Sequence, residues 1–235
     1  MPSCAVSLPS WNVHIAHVER LFQEKEPCTL GIASANCFLF GNLVPDIYVG
    51  YMVQPLTKTL SYCRTHVAVD EFMPTPCYNE FWDLYVVPLL ADGPSPERDL
   101  ALGAWAHLVC DHSYNLAARK VALAAGYKPG DGVRVLKQSD FDDYGKSLSI
   151  SMVPKLTPTL IRAAHSFSQY PIDKPDVTAA IDAAQRIVDT NTPAMPSPSY
   201  RLLSTEFFET TAQAAHNIII SNLLDGATQY NTSSS

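Results

Sequence analysis

The sequence predicts an all-α fold, a single-domain multi-helix bundle. Helix caps and terminators recur at helical intervals along nearly the whole chain, and period-two alternation is weak throughout. The 235 residues, 47% of them hydrophobic, suffice to bury a full core, which fits one domain with long helices better than two small ones. Residues 1–10 are expected to be an N-terminal extension, 11–226 the single all-α domain, and 227–235 a polar, low-complexity, disordered tail.

Asn12 is placed to cap a helix from Val13 to about Lys25, because its side-chain oxygen can take an unpaired first-turn N–H. The apolar stretch Leu30 to Leu43 reads as a second helix, stopped by Gly41-Asn42 with Pro45 just beyond. A loop is expected from Pro45 to Cys77. Tyr78 to Leu90 reads as a helix whose aromatic residues Phe81, Trp82 and Tyr85 pack into the core, ending near Pro88, and Ala91 to Pro96 as the loop that follows. The longest candidate is Arg98 to Ala125, closed by Gly126. Thr157-Pro158, Asp173 to Pro175 and Ser204 each open a later helix, running to about Ser166, Thr190 and Asp225. The prolines of Thr192 to Ser199 make a stiff connector there.

A formal charge of -7 leaves no surplus of Lys and Arg to neutralise a phosphate backbone, so duplex nucleic acid is not an expected partner. The first residues lack the basic start and apolar run of a secretory signal. No apolar stretch is long enough to span a bilayer, and a cytoplasmic location is expected. Six scattered cysteines without a CxxC pair are expected to be reduced thiols.

The most informative segment is Gly103-Ala104-Trp105-Ala106-His107-Leu108-Val109-Cys110-Asp111-His112. At 100° per residue, His107 and Asp111 lie about 40° apart on one helix face, while His112 points about 140° away. An i,i+4 His and Asp can be no more than a hydrogen-bonded pair in the core. The almost wholly apolar run from Leu100 to Cys110 argues for more, because a bound divalent cation would offset the desolvation of both groups. Further ligands must come from elsewhere. His14 and His17 share neighbouring parts of the first helix, Asp46 follows a helix end among apolar residues, and His66 lies in the long loop. Asp46 could instead be a turn residue and His66 a solvated one.

Taken together, an early His on the first helix, the segment Phe38-Leu39-Phe40-Gly41-Asn42-Leu43-Val44-Pro45-Asp46-Ile47, a loop His twenty residues on, and Gly103-x-x-x-His107-x-x-x-Asp111 in a long helix resemble the zinc-dependent phospholipase C family. That family shares its all-α fold with the fungal zinc single-strand nucleases. The resemblance covers about Trp11 to Asn115. It implies that His14, Asp46, His66, His107 and Asp111 are metal-site residues, that Asp46 is also the general base, and that His17 lies outside the ligand set.

The chain departs from the family at two points. Secreted members bind metal through the amine and carbonyl of an N-terminal Trp, whereas Trp11 is internal. Members with three zincs carry a further histidine and a His-x-x-x-Glu on later helices. Here only His165 and His216 follow His112, with Gln169 and Ile220 four residues on. The resemblance therefore implies a reduced centre of one or two ions, zinc by donor chemistry, with manganese or iron tolerated by the same ligands.

The function expected is metal-dependent hydrolysis of a small phosphate ester or phosphodiester. A non-catalytic metal-binding or structural protein of the same fold is the alternative. An HD-type phosphohydrolase is disfavoured because Asp111-His112 reverses the order that chemistry uses. Asp140, Asp142 and Asp143 lack calcium-loop spacing and read as an acidic cap at a helix N-terminus.

Overall fold

A computed structural model describes residues 10–50, 52–128, 132–191 and 200–233. The expected extension before Ser10, the connector Thr192 to Ser199 and the last two residues lie outside that set. The described chain is helical, with α1 (Trp11–Glu24), α2 (Ala35–Gly41), α3 (Val44–Ile47), α4 (Tyr62–Thr65), α5 (Tyr78–Phe81), α6 (Val87–Leu90), α7 (Pro96–Ala124), α8 (Val133–Ser147), α9 (Pro158–His165), α10 (Lys174–Thr190) and α11 (Thr205–Ser233). No strand occurs among the described residues, only one isolated bridge between Ala68 and Pro76.

The centre of the bundle is α7. Every residue from Arg98 to Asp111 is buried, so this stretch of the helix is enclosed on all faces, with α2, α3, α5, α9 and α11 packed around α7. Its start is fixed by Ser95, whose hydroxyl accepts from the N–H of Arg98, with Pro96 at the first helical position. The closest approach is between α2 and α7. A Cβ on Gly41 would overlap the carbonyl oxygen of Leu100, and one on Gly103 would overlap that of Phe38. Both glycines let two backbones touch where any side chain would hold them apart.

The stretch Leu30 to Leu43 is not one helix. A 3-10 turn, Pro27–Leu30, ends at Gly31 with φ 72°, and α2 starts afresh after Ser34, which caps Cys37. Buried Asp99 pins the break by accepting from the backbone N–H groups of Ala33 (2.9 Å) and Ser34 (2.6 Å). The expected loop from Pro45 to Cys77 contains α3 and α4, single turns that the sequence reading did not separate. The aromatic helix is present as α5 and α6 joined by a π-helical turn, Trp82–Val86. Pro88 has no N–H for the ordinary ladder, and the widened turn absorbs that loss.

Helix α8 is missing from the sequence reading, and it corrects the reading of the acidic group. Asp140 sits in the middle of α8, not at its start. It accepts from the backbone N–H groups of Arg201, Leu202 and Leu203 at 2.8–2.9 Å, tying the approach to α11 onto this helix. At the C-terminus, α11 runs on through Ser233, past the Asp225 end expected from sequence. Among the described residues no helix is long and apolar enough to cross a membrane, and Cys28, Cys37, Cys77 and Cys110 are free thiols.

Candidate metal centre

Five residues expected from sequence converge inside the bundle. His14 comes from α1, Asp46 from α3, His66 from the end of α4, and His107 and Asp111 from the middle of α7. Each is at most 1% exposed. His14 Nε2 lies 3.3 Å from Asp111 Oδ1, and His66 Nε2 lies 3.4 Å from Asp111 Oδ2 and 3.6 Å from Asp46 Oδ1. His107 Nε2 is 3.7 Å from Asp111 Oδ2 and 3.9 Å from Asp46 Oδ2. The rings of His14 and His107 stack at 3.8 Å. His14, Asp46 and His107 form one group able to hold an ion; His66, His107 and Asp111 form another.

Hydrogen bonds fix the proton positions on two of the rings. His107 Nδ1 lies 2.7 Å from the carbonyl oxygen of Asn42, which can only accept, so Nδ1 carries the proton. Thr65 lies 3.2 Å from the carbonyl of Tyr62, to which it donates, and 2.8 Å from His66 Nδ1; in that arrangement its oxygen accepts from His66 protonated at Nδ1. Burial, the largest influence on both rings, lowers their pKa values and keeps them neutral at pH 7. Both Nε2 atoms are then bare. They face each other at 3.2 Å, lone pair to lone pair.

With both nitrogens bare, that contact is repulsive unless a cation lies between them. Metal–ligand bonds of about 2.0–2.1 Å at tetrahedral angles put neighbouring ligand atoms roughly 3.3–3.4 Å apart, which is the spacing of His14 (3.3 Å) and His66 (3.4 Å) from Asp111. Orphaned atoms point the same way. Both ring nitrogens of His14, Asp46 Oδ1 and Asp111 Oδ1 are buried without a hydrogen bond among the described residues. Such groups are costly unless a ligand satisfies them.

The two carboxylates differ. Burial first, then the negative charge of Asp111, push Asp46 well above the usual carboxylate range, with the indole N–H of Trp11, donated to Oδ2 at 3.2 Å, opposing the rise. Burial also pushes Asp111 up, but His107, His14 and His66 outweigh it and hold Asp111 below its ordinary value. A cation entering the cluster would therefore expel the proton of Asp46 and bind two anions.

The remaining histidines stand apart. His17 is buried against the hydroxyl of Tyr114 at 3.0 Å, His112 donates from Nδ1 to the carbonyl of Pro76, His165 is exposed beside Asp173, and His216 pairs with Glu24. Sequence reasoning did not find the supports: Trp11 on Asp46, Asn42 on His107, Thr65 on His66, and Tyr62, which stacks on His66 at 3.8 Å. Asn42 alone carried a signal, lying inside the segment that leads to Asp46. Comparison with family models, curated proteins and solved structures finds no match to this chain.

Proposed function

We propose that this chain binds one divalent transition ion, zinc by its mixed imidazole and carboxylate donors, and uses it to hydrolyse a phosphate ester or phosphodiester in the manner of the zinc-dependent phospholipase C family. The observation that carries the metal is the convergence of buried imidazole and carboxylate donors, with the Nε2 atoms of His66 and His107 3.2 Å apart at its centre. One ion is favoured over more because both candidate groups need His107, whose Nδ1 is committed to Asn42. A single lone pair serves a single ion. His165 and His216, held by Asp173 and Glu24, supply no ligands to the cluster.

When bound, zinc supplies Lewis acidity, bringing the pKa of a water down towards about 7. The chain's own residues prepare the rest. Trp11 occupies Oδ2 of Asp46 and leaves Oδ1 without a hydrogen bond, so Oδ1 is the atom placed to take a proton from the attacking water. The support for phosphate-ester chemistry is the matching order of His14, Asp46, His66, His107 and Asp111. Elemental analysis together with turnover of bis-p-nitrophenyl phosphate tests the proposal. About one ion per chain and activity lost in Asp46→Asn are expected; a chain that neither carries nor takes up a transition metal would sink it.

One observation favours a second reading, a metal that braces the fold without turnover. All five residues are sealed from solvent, and closed sites are the habit of structural zinc. Bound metal with no hydrolysis of any phosphate ester would select it.

A further inference from the structure

Lys137 is a cation in an unusual place. It lies on α8, is 1% exposed, and its ammonium sits 5.1 Å above the ring of Phe141. A buried charge persists only where the surroundings compensate it, and the negative charge of Asp111 acts on Lys137. Burial lowers its pKa to about 8, with Asp111 opposing the fall, so the ammonium stays charged at pH 7.

Between them runs a one-way series of hydrogen bonds. Lys137 Nζ donates to Asn115 Oδ1 at 2.5 Å. An ammonium has only donors, so the amide oxygen of Asn115 must face it and Nδ2 must face away. Nδ2 donates to the carbonyl of Pro74 at 2.8 Å and to the hydroxyl of Tyr62 at 3.4 Å. Tyr62 in turn donates to Asp111 Oδ2 at 3.4 Å. Along the series from Lys137 through Asn115 and Tyr62, each bond donates in the direction of the carboxylate. A series that begins on a cation and ends on an anion polarises each bond in the same sense. It engages Oδ2 of Asp111 and leaves Oδ1 orphaned, on the side of His14. Tyr62 also stacks on His66, so its single ring orients two members of the cluster.

We infer that Lys137 is a positioning residue of the metal centre, acting through Asn115 and Tyr62 to aim Asp111 at the ion. The inference rests on the metal reading above. Residues that support metal ligands in this way typically change affinity by about 10–100-fold when removed.

The test titrates Co²⁺ into the metal-free full-length chain and follows its visible d–d absorption, which reports ligand geometry. Wild type, Lys137→Met, Tyr62→Phe and the double variant are compared, with near-UV circular dichroism confirming the fold. Each single change is expected to weaken Co²⁺ binding about tenfold and alter the band. The double variant is expected to lose no more than the weaker-binding single variant, because both act along one series. A folded Lys137→Met protein with wild-type affinity and band would overturn the inference, and so would losses that multiply. Should Lys137→Met fail to fold, Tyr62→Phe carries the test, since it removes one oxygen; an unchanged affinity and band there overturn the inference equally. A wild-type chain that takes up no Co²⁺ would overturn the metal reading itself, and is seen before any variant is compared.

Discussion

His66 and His107 turn their Nε2 atoms to each other at 3.2 Å, with the opposite nitrogen of His107 donating to the carbonyl of Asn42 and that of His66 held at the hydroxyl of Thr65, the arrangement that leaves both Nε2 atoms bare. Two neutral imidazoles in that arrangement repel, and a cation between them turns the repulsion into shared coordination. His107→Ala and His66→Ala should each weaken zinc binding by more than about a hundredfold, beyond what loss of a supporting group costs. Competition against a chromophoric chelator measures it, and wild-type affinity in either variant would remove the pair from the centre.

Acidification should destabilise the metal-free chain through His17. Burial, the largest influence, holds the pKa of His17 at about 3, far below its ordinary 6.5. The unfolded chain then takes up a proton that the folded chain refuses. The stabilisation is complete above pH 6.5 and is lost as pH falls towards about 3, by up to ~1.4 kcal/mol per pH unit. Urea unfolding at pH 7 and pH 5.5 should show a smaller acid loss in His17→Gln than in wild type, by about 1 kcal/mol. Equal losses would contradict the buried neutral ring.

Gly103→Ala should destabilise the fold by about 3 kcal/mol or more, because the methyl group would meet the backbone carbonyl of Phe38, which cannot swing aside. The same displacement moves Asn42, whose side chain donates to the carbonyl of Gly103 and whose own carbonyl holds His107. Thermal unfolding and zinc affinity should therefore fall together. A stable variant with normal affinity would show that the helices can separate without cost to the centre.

Trp11→Phe should weaken zinc binding about tenfold while leaving the helices intact, since it removes the one hydrogen bond on Asp46. The wild-type indole lies at the edge of the cluster, so its emission should also change on metal addition. Unchanged emission and unchanged affinity in the variant would place Trp11 outside the centre.

Much of this site was readable before any coordinates. The order and spacing of His14, Asp46, His66, His107 and Asp111 survive folding because all five sit on or beside helices, and the caps and apolar faces of α1 and α7 are local features. The Leu30 to Leu43 stretch misled because its break is imposed from a distance, by Asp99 bonding the backbone of Ala33 and Ser34. Helix α8 was missed for a related reason. Its sequence, Val133 to Ser147, is polar on average, and two of its five buried residues are Lys137 and Asp140, whose partners lie on other parts of the chain. Lys137 gives no local hint of its role, since a lysine in a helix is most often a solvated one.

The sealing of the five residues bears on kinetics as well as on chemistry. An ion cannot reach or leave a core at most 1% exposed until part of the bundle opens. Release into a chelator should then proceed at the rate of that opening, which the chelator does not set. Raising EDTA tenfold would leave the half-time of zinc loss unchanged, and the protein would hold its ion far longer in a brief challenge than its equilibrium affinity alone suggests.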